Sequence, residues 1–177
     1  PKQIIRQKKY NQNTIHSQRY FAIYGLGLTG KSVLNLFKKK SVNFYAWDDN
    51  AKVRSLSKIN KKFNEKNFEN ILDEVDYLVL SPGINIKNCK LKKKIIKNKD
   101  KIITDLDIFY MINSKVKSIM ITGSNGKSTT CKIIEHVLKK NKIETSLGGN
   151  IGKPILDLKF KKNRIMIIEA SSFQLYY

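Results

Sequence analysis

Long apolar runs, prolines and paired cysteines are all scarce in this chain of 177 residues. No stretch is apolar for long enough to span a bilayer. The opening "PKQIIRQKKYNQNTIHSQ" is basic and polar where a secretory leader would carry an apolar segment. Two cysteines, Cys89 and Cys131, lie far apart and without metal-ligand spacing. That excludes a disulfide scaffold and points to a reduced, cytoplasmic protein. Acidic residues are few: 14 against 35 cations, for a formal charge of +21. Such an excess raises the question of nucleic acid, because clustered cations release counterions from a phosphate backbone. Arginine is scarce too, however, at four of those 35 cations, and the lysines run along the whole chain. Base edges and phosphates are read mainly by the arginine fork. Salt-sensitive attraction to polyanions is therefore expected, and specific nucleic-acid binding is not.

What is present is an alternation of strand-like and helix-like segments. "RYFAIY" is a short apolar run ending at Gly25, followed by a helical pattern with Val33, Leu34 and Phe37 on one side. "VNFYAW" ends at Asp48, "VDYLVL" ends at Ser81-Pro82-Gly83, and "KIIT" is a further short strand, with the Lys-rich "CKLKKKIIKNK" helical before it. A second cycle starts at "VKSIMIT", passes a glycine loop and enters "STTCKIIEHVLKK", where Ile133, Ile134, Val137 and Leu138 form an apolar face. "IETSLGGNIGKP" then reads as strand plus loop, and "RIMIIEA" as a buried strand with Glu169 at its carboxyl end. Strands alternating with helices predict an α/β protein with parallel, doubly wound sheets. The expected organisation is a basic tail over residues 1–18, a Rossmann-like domain over 19–112 and the first part of a P-loop-type domain over 113–177. The boundary falls in the polar stretch around Asn113 to Lys115.

Two glycine loops carry the chemistry. Gly25-x-Gly27-x-x-Gly30 follows a strand and opens a helix, and Asp48 ends the next strand. That is the dinucleotide-fold fingerprint, in which the backbone approaches a diphosphate at a helix amino terminus. The bland alternative is a tight structural turn. Asp48 is placed to accept from a sugar hydroxyl, and Lys31 and Ser32 read as first-turn surface residues. The second loop, Gly123-Ser124-Asn125-Gly126-Lys127-Ser128-Thr129, has only two residues between its glycines where the usual P-loop has four. Its amides suit phosphate, Lys127 neutralises phosphate oxygens, and Ser128 with Glu169 offers the oxygen ligands Mg²⁺ takes. Glu169 has its own alternative, as a cap for a helix starting near Ser171 and Ser172.

With both loops placed, the sequence resembles the Mur ligase family. The resemblance rests on "GLGLTG" at 25–30, Asp48-Asp49, "SPGI" at 81–84, "ITGSNGKST" at 121–129, "GGNIG" at 148–152 and "SSFQL" at 171–175, in the family's order. Within the family, "GLGLTG" and "SSFQL" look like the branch that adds D-glutamate. The resemblance implies that Leu28 and Thr29 contact a UDP diphosphate, Asp48 and Asp49 the uridine end, and Gly83 the same ligand. It implies that Asn150 and Ser171 hold the muramoyl and alanyl parts, and that Lys127, Ser128 and Glu169 handle ATP and Mg²⁺. The implied reaction is ATP-dependent amide formation between UDP-N-acetylmuramoyl-L-alanine and D-glutamate through an acyl phosphate, in peptidoglycan synthesis, by a cytoplasmic monomer without membrane or specific nucleic-acid partners.

The sequence departs from the family at Lys31, where a lysine is unusual, and at Ala170. Family members run to three domains. Their downstream metal histidine, modified lysine, and adenine and D-glutamate contacts have no counterpart here; His16 and His136 read as surface residues. The chain is therefore expected to be a fragment that does not turn over alone. Three rivals remain: a sibling Mur-type ligase for another amino acid, a nicotinamide-dependent oxidoreductase resting on the first loop alone, and a nucleic-acid-binding module resting on charge.

Overall fold

A computed structural model describes residues 18–57, 64–161 and 163–176. Residues 1–17 of the expected tail, His16 among them, lie outside the described residues. The first strand, β1 (Tyr20–Tyr24), is followed by α1 (Leu28–Lys39), β2 (Asn43–Trp47), α2 (Ala51–Leu56), α3 (Glu65–Glu74), β3 (Tyr77–Leu80), α4 (Lys92–Lys97), β4 (Ile102–Ile103) and α5 (Asp105–Ile112). These four strands form one parallel sheet in the order β2-β1-β3-β4. Successive side chains of a strand point to opposite faces, and β1 shows why its run lacks polar alternation. Phe21 and Ile23 enter the core on one face with Val33, Leu34 and Phe37 of α1 and Ile108 and Met111 of α5. Ala22 and Tyr24 enter the other, with Phe68 and Leu72 of α3 and Ile95 of α4. Both faces are covered, as a parallel sheet requires.

The connection after β1 leads to β2 on one side, and the next returns to β3 on the other. The loops after β1 and β3 therefore flank a crevice at the strands' carboxyl ends, the place where such sheets bind ligands. The remaining elements are β5 (Ser118–Ile121), α6 (Lys127–Lys140), β6 (Thr145–Gly149), β7 (Ile165–Glu169) and α7 (Ser172–Tyr176). They build a second parallel sheet, β5-β7-β6, with β7 in the middle.

Helix α5 joins the two sheets. Its sequence DLDIFYMI is apolar almost all round, as a helix buried on several sides must be. Ile108 and Met111 belong to the first core, whereas Leu106 and Phe109 pack with Ile155, Met166 and Ile168 of the second. Helix α6 differs from expectation: its apolar face is only partly covered, with Ile133 57% and Val137 51% exposed. Cys131 is its one fully buried residue.

The acid side of the stability curve follows from Asp73, which ties α3 to α4. Asn98 Nδ2 donates to Asp73 Oδ1 at 2.9 Å, and Lys94 Nζ and Lys97 Nζ donate to Oδ2 at 2.7 and 3.3 Å. The Asn98 bond first, then the lysines, hold this carboxyl well below its ordinary value of 3.8. A depressed carboxylate contributes stability that is present above the unfolded value and is lost as pH falls towards the folded one. In urea titrations the deficit of Asp73→Asn relative to wild type should therefore shrink below about pH 4. A deficit that stays constant from pH 7 to pH 2 would refute this assignment.

Candidate functional site

The first loop is shaped by two of its glycines and left open by the third. Gly25 has φ +93°, and a Cβ there would lie 2.8 Å from Ile84 Cγ1 and 2.9 Å from Ser81 Cβ. A Cβ on Gly30 would lie 1.8 Å from the Gly25 carbonyl oxygen. Ser81 Oγ donates to that same oxygen at 2.7 Å, pinning the loop to the end of β3. A Cβ on Gly27, which precedes α1, or on Gly83 would meet nothing within 4 Å among the described residues. Leu28 is 79% exposed and Thr29 half-buried. The open edge of the crevice is thus lined by Gly27, Leu28, Thr29 and Gly83.

The two aspartates after β2 turn inward. Asp48 accepts the Leu26 amide on Oδ2 at 2.7 Å and the Asn50 amide on Oδ1 at 2.8 Å. Both oxygens of this residue, which the sequence placed to accept from a sugar hydroxyl, therefore also help to fold the loop. Asp49 Oδ2 accepts the Tyr24 hydroxyl at 2.7 Å, and its Oδ1 is buried without a hydrogen-bond partner among the described residues. Burial first, then that bond, pushes the Tyr24 phenol far above its ordinary value. Arg54 closes the corner: its Nη1 donates to the Asp48 and Asp49 carbonyls at 2.6 and 3.2 Å, and its guanidinium sits 4.1 Å over the Trp47 ring. Sequence reading missed Arg54, which stands at no motif position, and it quoted Ser81 in "SPGI" without giving it a role.

The second loop bends through Gly123 (φ +148°) and Gly126 (φ +75°), a left-handed residue directly before α6. Ser124, Asn125 and Thr129 are exposed beside it. Lys127 Nζ donates to the Gly123 and Ser124 carbonyls at 2.7 and 3.2 Å, so its ammonium is held over the loop. Ser128 Oγ donates to Glu169 Oε2 at 2.6 Å, although the two are 41 residues apart. Glu169, 6% exposed, ends the middle strand of the sheet. Its carbonyl accepts the Asn150 amide at 2.9 Å, which brings Asn150 to the same strand end. Among the described residues no group of three or more His, Cys, Asp or Glu gathers as a metal site. One hydroxyl and one carboxylate nevertheless suit Mg²⁺, which usually keeps waters and phosphate oxygens as its other ligands.

Glu169 does not cap α7. Ser171 does, in a reciprocal box: its amide and Oγ donate to Gln174 Oε1 at 2.9 and 3.1 Å, and Gln174 N donates to Ser171 Oγ at 3.2 Å. Ser32, expected at the surface, is 3% exposed and donates to Asp157 Oδ1 at 2.6 Å, linking α1 to the second unit. Lys31 and His136 are exposed as expected.

A family model described as Mur ligase MurD-like, N-terminal domain, matches residues 19–104, and one described as Mur ligase middle domain matches residues 121–176. The chain belongs to the Mur ligase family. Its curated relatives include the UDP-N-acetylmuramoylalanine--D-glutamate ligases of Wolbachia sp. subsp. Brugia malayi (strain TRS) and of Buchnera aphidicola subsp. Schizaphis graminum (strain Sg). The first is 40% identical over 87% of this chain and 32% of its own length. The second is 39% identical over 90% of this chain and 37% of its own length. This Mur ligase chain thus spans about a third of the length of these relatives. Among solved structures it aligns with the UDP-N-acetylmuramate:L-alanyl-gamma-D-glutamyl-meso-diaminopimelate ligase from Neisseria meningitides. That match covers 88% of this chain and 55% of the other, at 16% identity and a TM-score of 0.47.

Proposed function

We propose that the chain is the substrate- and ATP-binding part of an ATP-dependent ligase that joins D-glutamate to UDP-N-acetylmuramoyl-L-alanine in peptidoglycan synthesis. The observation that carries this reading is the Ser128–Glu169 hydrogen bond beside the Gly123–Gly126 loop, a phosphate loop and a Mg²⁺-type oxygen pair at one strand end. The names borne by the relatives supply the amino acid. In this reading 19–112 is the UDP-binding unit, with Leu28, Thr29, Asp48, Asp49 and Gly83 at the nucleotide, and 113–177 is part of the ATP-binding unit. Asn150 and Ser171 face the muramoyl-alanyl end.

The substrate carboxylate attacks the γ-phosphoryl group, giving an acyl phosphate and ADP. The amine of D-glutamate then attacks the acyl carbon, loses a proton and expels phosphate. Lys127 and the loop amides of Gly123 to Ser128 neutralise and orient the phosphates, so that positioning and charge stabilisation supply the catalysis. Ser128 and Glu169 would hold Mg²⁺, which draws charge from the phosphate oxygens when bound.

Calorimetric titration of the chain should show binding of UDP-N-acetylmuramoyl-L-alanine. Tight NADH binding with no response to UDP-linked ligands would overturn the reading in favour of an oxidoreductase. The metal assignment makes a separate prediction. Glu169→Gln keeps an acceptor for Ser128 but removes the charge, so the gain in ATP affinity on adding Mg²⁺ should fall roughly 10- to 100-fold. Equal Mg²⁺ dependence in variant and wild type would remove Glu169 from the metal site.

A further inference from the structure

The two units meet at a buried contact that the mechanism above does not use. Gln174 Nε2 donates to Asp105 Oδ1 at 2.7 Å, joining residues 69 apart. Asp105 is 2% and Gln174 5% exposed. Asp105 begins α5, the helix shared by both cores, and Phe173, next to Gln174, packs against the first sheet's cluster. Gln174 therefore belongs to the second unit by sequence and touches the first by packing.

The orientation of the Gln174 amide is dictated by its neighbours. The Ser171 N–H is only a donor, so the amide oxygen must face it, and the amide nitrogen must face Asp105, which accepts. The Ser171 hydroxyl has its proton on the same amide oxygen and takes the Gln174 N–H on one lone pair. Its position is thus set by an amide whose other end is anchored in the first unit. Without an acceptor at position 105, a buried N–H would be left unpaired and the amide would have reason to turn away.

We propose that Asp105 is a positioning residue. Across the Gln174 amide it holds Ser171 in place, so that the last helix of the UDP-binding unit sets the muramoyl-alanyl contact of the other. The proposal rests on the reading of Ser171 given above. A role in folding alone would alter stability; a positioning role alters the preference for the longer ligand over UDP.

The test uses the whole chain, titrated separately with UDP and with UDP-N-acetylmuramoyl-L-alanine. Gln174→Glu keeps an acceptor for Ser171 but sets two acid oxygen sites face to face. It should weaken binding of the longer ligand about tenfold and leave UDP unchanged. In the double variant Asp105→Asn with Gln174→Glu the donor sits on the other side, and affinity should return to within about threefold of wild type. A double variant no better than Gln174→Glu, or an equal loss for UDP, overturns the proposal. Asp105→Asn alone keeps an acceptor oxygen and should stay within about threefold, so a tenfold loss there also overturns it. If the wild-type chain binds both ligands equally, the Ser171 reading fails. Hydrogen exchange of the Ser171 amide then judges the latch: exchange about tenfold faster in Gln174→Glu and slow again in the double variant supports it, and unchanged exchange overturns it.

Discussion

Gly30→Ala should destabilise the protein by about 4 kcal/mol, enough to lose most of the cooperative unfolding transition of a marginal domain. The new Cβ would lie 1.8 Å from the Gly25 carbonyl oxygen and 2.9 Å from Ser81 Oγ. The first of these obstacles is backbone, and that backbone is already bound: Gly25 N donates to Trp47 O at 2.8 Å and Ser81 Oγ holds Gly25 O. Relief requires α1 to move off β1, which would open the contact of Val33 and Phe37 with Phe21. Gly27→Ala is the matched control. Gly27 has φ −65° and open space around it, so its Ala variant should unfold within about 0.5 kcal/mol of wild type. Its effect should appear in UDP affinity, because a methyl group there stands where a diphosphate would approach the backbone. Urea unfolding of the two variants distinguishes a packing glycine from a binding glycine. Equal stabilities would remove the structural account of the loop.

Much of this architecture is legible in the chain. β1, β3 and β7 read as strands because both of their faces are buried, so apolar residues run without interruption in "FAIY", "YLVL" and "IMII". The glycine loops read as ligand loops because their spacing falls between a strand and a helix. What local pattern does not carry is the partner of a polar residue. Ser32 looks like an exposed first-turn serine until α1 meets Asp157, 125 residues later. Asp105 and Gln174 look like ordinary helix-start residues until two sheets bring them together. The same limit explains Asp48, whose carboxylate folds its own loop as well as ending a strand. Ile133 and Val137 fail in the opposite sense: their spacing marks an apolar face, and among the described residues that face is only half covered.

The second large effect separates the two loops from each other. Lys127→Ala should lower ATP affinity by about thirtyfold to a thousandfold while leaving UDP affinity unchanged. A charge about 4 Å from a phosphate contributes roughly 4 kcal/mol at intermediate dielectric, and partial exposure of the loop lowers this towards half. Lys127 costs little to recruit, because its ammonium already lies over the loop, 2.7 Å from the Gly123 carbonyl. An arriving phosphate gives this ammonium, whose present acceptors are neutral carbonyls, an anionic one. Because the interaction is partly screened, the gap between wild type and variant should narrow as salt rises. Lys31 occupies the matching place in the first loop and is exposed there, so Lys31→Ala should leave ATP affinity unchanged. Titration of the three proteins with ATP and with UDP gives four comparisons. Loss of ATP binding in Lys31→Ala but not in Lys127→Ala would exchange the roles of the two loops and, with them, the order of substrate and nucleotide along the chain.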